Sequence, residues 1–205
     1  MKKSASYFEP AVSRASSGLV KEKGPKQKKR LFLYGRPDVH RNLFFTALDA
    51  IDFAFKAGFL DKDNWELFMA GQDKIPDIQL SSGVVIKNRG KMAMEDYVSF
   101  SKTIDVAVSP MMAPHPNYPT LEFASIGTAV VTTKYANKTD LSSYSKNIIS
   151  SDISVESIAG AIKKASIMPT EQRQKNSQNS AIASDWRKTL EKPLEEVFAS
   201  INTLS

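Results

Sequence analysis

Residues 109–133 read SPMMAPHPNYPTLEFASIGTAVVTT, and the fold follows from this stretch. Before it, residues 104–108 are apolar except for Asp105. At its end, residues 129–133 are short and β-branched, a composition suited to strands covered on both faces. Pro119 suits a first helical position because it has no N–H to leave unpaired. That predicts Glu122 in the first helical turn, where the dipole favours an anion. Gly127 accepts the left-handed conformation that ends such a helix. Strand, loop, helix and strand in this order put Glu122 at the carboxyl edge of an open α/β sheet, where such sheets bind ligands.

Working outward, residues 30–35 (RLFLYG) form a compact apolar run ending in Gly, a buried strand. Over 42–58, Phe44, Ala47, Leu48, Ile51 and Phe55 recur at helical spacing, and Gly58 closes the helix. Residues 65–71 and 84–87 read as two more strands, and 94–102 as a short helix. Beyond residue 133 come a polar loop, a strand over 147–150 and a helix starting at Ser154. A polar helix follows over 170–184, then a last helix carrying Trp186, Leu190, Leu194, Val197, Phe198 and Ile201. Pro193 is expected to kink or restart this helix. The alternation predicts a Rossmann-like, doubly wound parallel α/β sheet with right-handed crossovers.

The division of the chain is a basic arm over 1–29, the α/β domain over 30–184 and a terminal helix over 185–205. Residues 1–30 carry nine Lys/Arg against two Asp/Glu, so the net charge of +6 sits in the arm. The rest is nearly neutral. The arm can touch an anionic surface, but no aromatic residues interleave its lysines to stack bases, so no specific nucleic-acid partner is expected. With no cysteine and two histidines, disulfides, thiolate metal sites and histidine metal sites drop out. No apolar run is long enough to span a membrane. A cytoplasmic location is expected, with peripheral contact to the inner membrane face through the arm.

The first strand runs into GRPDVHRN, residues 35–42. Arg36 and Arg41 there flank a helix start at the sheet's carboxyl edge, a good diphosphate clamp. Pairing of either with Asp38 or Asp73 is the plain alternative. Lys91, just past Gly90, offers a further phosphate contact or is an ordinary solvated lysine. His115 can donate to a ligand or satisfy a loop carbonyl, and Tyr118 can stack on a base or be a plain loop aromatic. Neither a Gly-rich dinucleotide fingerprint nor a Walker loop is present, which sets aside redox dinucleotides and P-loop chemistry. The acidic cluster of a phosphoacceptor domain is also missing at the first strand.

Together, GRPDVHRN, WELFMAGQD and DVAVSPMMAPHPNYPTLEFASIGTAVVTTKYANKT resemble the C-terminal, donor-binding half of GT-B glycosyltransferases. Among these the chain is most similar to rhamnosyltransferases of bacterial polysaccharide and S-layer glycan synthesis, through PHP-x-YP-x-LE. The resemblance spans about residues 7–201. It implies that Arg36 and Arg41 hold the donor diphosphate, with Lys91 as a further contact. Glu122 then takes the ribose hydroxyls, Tyr118 lies beside the nucleotide, and Lys138 of YANKT lies near the donor. Retaining members carry a second Glu upstream of Glu122. Here that region reads Pro114 and His115, which leaves the sugar contact to His115 or to backbone amides.

The implied function is transfer of a sugar, rhamnose or another deoxyhexose, from a nucleotide such as dTDP onto a glycan. No cofactor or metal is expected. The acceptor would sit on an N-terminal domain that this sequence does not contain, and the last helix would cross onto that domain. A stand-alone nucleotide-binding or partner-binding module is the alternative.

Overall fold

The computed structural model describes residues 8–12 and 27–202. The strands are β1 (Lys29–Tyr34), β2 (Trp65–Ala70), β3 (Ile78–Gln79), β4 (Val85–Asn88), β5 (Val106–Val108), β6 (Ala129–Thr133) and β7 (Ile148–Ser151). The helices are α1 (Phe44–Lys56), α2 (Met94–Ser101), α3 (Tyr118–Ser125), α4 (Val155–Ser166), α5 (Thr170–Gln178) and α6 (Trp186–Asn202). One seven-stranded sheet has the order β3-β4-β2-β1-β5-β6-β7, parallel except for β3. The doubly wound reading holds, and β3, only two residues long, is the strand the pattern misses.

Alternation along each strand builds two cores. Leu31 and Leu33, Leu67 and Met69, and Val106 and Val108 face α1 and α4. Phe32, Phe68, Ala107 and Val130 face the other way, toward Leu121 and Phe123 of α3 and Tyr97 and Phe100 of α2. Each fully buried side chain of this size contributes about 1.5–3 kcal/mol, so helices of modest propensity are held by their packed faces.

Asp105 is the charge inside this apolar sheet. Its Oδ2 accepts from Arg30 N at 2.8 Å, and Arg173 of α5 donates Nη1 to its carbonyl at 2.6 Å and Nη2 to Oδ1 at 3.3 Å. Both side chains are almost fully buried. α5 is further tied by Asn147, whose Nδ2 donates to Arg173 O at 2.8 Å. The polar sequence of α5 thus covers a polar anchor.

Three expectations change. α3 begins at Tyr118, because Asn117 caps it by accepting from Thr120 N at 2.9 Å; Glu122 therefore falls in the second turn, away from the strongest dipole field. α5 stops at Gln178, since the chain beyond pairs elsewhere: Ala181 N donates to Tyr144 O and Ala183 O accepts from Val12 N. α6 runs through Pro193 as one helix, which neither stops nor restarts there. Most of the basic arm lies outside the described residues. Of its described part, Ala11 and Val12 are buried on the body.

Removing one partner of a buried ion pair strands the other charge, at a cost of about 3–5 kcal/mol. Arg173→Met is expected to destabilise the chain by that amount in equilibrium denaturation. A loss below about 1 kcal/mol would show that the pair does not anchor α5.

Candidate functional site

The strand order reverses between β1 and β5, so the loops leaving their carboxyl ends diverge and open a crevice. From β1 come Gly35, Arg36 and a short turn over His40–Asn42 that carries Arg41 into α1. From β5 comes the loop over 109–117. That loop is pinned from beneath by β6: Thr132 Oγ1 donates to Ser109 O at 2.9 Å, Met111 N donates to Thr133 Oγ1 at 2.9 Å, and Thr133 Oγ1 donates to Met111 O at 3.1 Å. Met112 N donates to Arg41 O at 2.7 Å, which joins the two loops directly.

Two cavities share the walls Tyr34, Tyr118 and Pro119. The first, about 490 Å³, is lined by Arg36, Arg41, Asn42, His115 and Asn117. The second, about 400 Å³, is lined by Gly71, Gly90, Lys91, Tyr97 and Glu122. Glycine lets the chain pack closely at its floor. A Cβ on Gly71 (φ +128) would meet Gly35 O at 2.9 Å, and one on Gly90 (φ +61) would meet Asp73 Oδ1 at 2.8 Å.

The fold brings Arg36, Arg41, His115 and Tyr118 to the first cavity, and Lys91, Tyr118 and Glu122 to the second. Neither arginine has an ion pair among the described residues. Asp38 instead accepts from Gln72, and Asp73 accepts from Lys91 N at 2.7 Å. Both guanidinium groups stay exposed at the crevice. His115 is exposed, with Nδ1 3.0 Å from Pro116 O.

Glu122 is half-buried, and Tyr97 Oη donates to its Oε2 at 3.1 Å. Burial raises the carboxyl above its usual range, and the Tyr97 bond partly offsets this. Burial, then the charge of Glu122, pushes the Tyr97 phenol upward.

Lys138 lies elsewhere. It is buried behind the 109–117 loop, where Nζ donates to Met111 O at 2.9 Å, and it lines neither cavity. Tyr97, Asn117 and the Thr132–Thr133 pair have positions the sequence reading missed. Only Asn117 had a signal, as a capping residue ahead of Pro119.

The family model for the WsaF C-terminal domain matches residues 29–163, more than half of the sequence. This chain belongs to the WsaF C-terminal domain family. No curated protein matches it by sequence. Its fold is similar to α,α-trehalose 6-phosphate synthase from Burkholderia multivorans (TM-score 0.65, 14% identity, 86% of this chain and 44% of that one). It is similar also to a glycosyltransferase from Rickettsia africae ESF-5 (TM-score 0.65, 16% identity, 88% and 50%). A third is Anabaena Alr3699/HepE, solved in complex with UDP and glucose (TM-score 0.59, 14% identity, 85% and 49%). The chain spans about half the length of these structures, and its fold is the C-terminal half of a GT-B glycosyltransferase.

Burial holds Lys138 at about 8, below the ordinary value of 10.5. Between those values the unfolded chain carries a proton that the folded chain has shed. Stability from this residue therefore rises with pH across the window. In chemical denaturation at pH 8, 9 and 10, the wild type is expected to show a more positive slope than Lys138→Met. Equal slopes would mean that the ammonium is not desolvated.

Proposed function

We propose that this chain is the donor-binding domain of a glycosyltransferase, holding a nucleotide sugar across both cavities. The nucleoside lies on the Glu122 side, with its sugar hydroxyls donating to the carboxylate. The diphosphate lies at Arg36 and Arg41, and Tyr118 stands between the two. One observation carries this reading: two guanidinium groups with no ion-pair partner among the described residues meet a half-buried carboxylate across a shared wall at the sheet's switch point. Phosphate needs the first and a vicinal diol suits the second. A similar fold solved with UDP and glucose supports it.

The chemistry follows from charge. As the glycosidic bond to the diphosphate breaks, negative charge grows on the departing oxygens. Arg36 and Arg41 are placed to stabilise it and to fix the donor's orientation. Lys91 flanks the nucleoside side. A deoxyhexose such as rhamnose on dTDP is the donor we infer from the PHP-x-YP-x-LE resemblance. The acceptor belongs to a second domain. Its seat is α6, whose Leu194, Val197, Phe198 and Ile201 are about half or more exposed, an apolar stripe left open among the described residues. Trp186 at its head lies 6.3 Å from the Tyr118 ring.

Calorimetry with UDP, dTDP, GDP and ADP tests the reading. At least one should bind, and Arg36→Ala or Arg41→Ala should weaken it about tenfold to a hundredfold, since a hydrogen bond to a charged group is worth about 1.5–3 kcal/mol. Affinity for the bare nucleoside should not change. Transfer is expected only after an N-terminal domain is added. Arginine variants that bind diphosphates as wild type does, or robust transfer by the isolated monomer, would overturn it.

A further inference from the structure

Glu122 is not free to choose its orientation. Its Oε2 is taken by Tyr97 Oη at 3.1 Å, while Oε1 has no protein donor among the described residues. Tyr97 is itself fixed. Its ring meets Phe123 edge-on at 6.1 Å and 78°, its backbone N donates to Ala93 O at 2.9 Å, and α2 packs through Phe100 on Phe32 and Phe68. Two helices with no other polar tie between their side chains on this wall thus meet through one phenol–carboxylate bond. A half-buried carboxylate with a single protein donor, lining a cavity, holds an acceptor in reserve for something else.

We propose that Tyr97 is the positioning residue of the nucleoside side of the site: its hydroxyl holds Oε2 so that Oε1 stands ready for a sugar hydroxyl of the donor nucleotide. The proposal rests on the donor-site reading above. Tyr97 touches Glu122 rather than the ligand in this role. Holding the acceptor in place removes the cost of ordering a rotamer-rich side chain when the nucleotide arrives. The donated bond also favours the ionised carboxyl against burial, so the same contact keeps Glu122 a strong acceptor. The other titratable groups lining this cavity are Tyr34 from β1, Lys91 from the loop after β4, and Tyr118 from α3. Of these, only Lys91 can bring a full positive charge to the carboxylate, and it remains in every variant below.

The test uses Tyr97→Phe, Glu122→Gln and the double variant, titrated with UDP-glucose and dTDP-glucose, whose diphosphates do not change protonation over the range studied. In parallel, the Glu122 carboxyl is followed by carbon NMR against pH in the ligand-free protein. Tyr97→Phe keeps the ring and its packing. It is expected to weaken the tighter-binding probe about threefold to tenfold and to move the Glu122 midpoint to higher pH. In the Glu122→Gln background the same substitution should cost little, because the two residues act as one unit. A purely structural tyrosine would give equal losses in both backgrounds and an unmoved midpoint, and that result overturns the proposal. If wild type binds neither probe and none of UDP, dTDP, GDP and ADP, the donor-site reading falls together with this role. Binding with additive losses overturns this role alone.

Discussion

Asp105 is the charge on which the sheet is assembled. An ionised carboxylate between the buried Ile104 and Val106 would be costly to bury unless its partners came with it. They do. Arg30 N closes β1 against β5 at the foot of the sheet, Arg173 brings α5 beneath, and the Asp105 carbonyl also accepts from Ala129 N at the start of β6. The feet of β1, β5 and β6 are thus locked in register, and the reversal of strand order between β1 and β5 opens the crevice at their carboxyl ends.

Polar groups are thereby divided between two edges. At the foot they are paired with one another and serve stability. At the carboxyl edge, among the described residues, the arginines have no ion pair and the carboxylate has one donor, so charge there is held in place by the backbone rather than neutralised by neighbours. Thr132, Thr133 and Lys138 do the holding, each bonded to a loop backbone atom beneath the crevice. The site is pre-organised on the ends of rigid strands, which is the arrangement expected of a domain that orients a charged ligand.

Much of this was legible in the residues. Alternating strands and helices gave the sheet, and GRPDVHRN and PNYPTLE gave both walls of the crevice. What was not legible is long-range or local in a way patterns do not carry. Arg173 lies 68 positions from Asp105, in a helix with no apolar face, so nothing marked it as a core residue. Glu122 was set one residue too early in its helix, in the first turn rather than the second, because Asn117 took the cap and moved Pro119 to the second helical position. Tyr97 lies on a helix whose exposed face hides the one phenol that turns inward. Lys138 was set near the donor by the resemblance of YANKT to the family's lysine; here it is buried and bonded to a carbonyl.

The two cavities form a single site only if one ligand spans the wall made by Tyr34, Tyr118 and Pro119. A crystal structure of this chain with a bound nucleoside diphosphate decides that most directly. Phosphate oxygens are expected within hydrogen-bonding distance of Arg36 and Arg41, the nucleoside past Tyr118, and a sugar hydroxyl on Glu122. A nucleotide seated with its phosphates at Lys91 and its base between the arginines, or bound away from the crevice altogether, would contradict it.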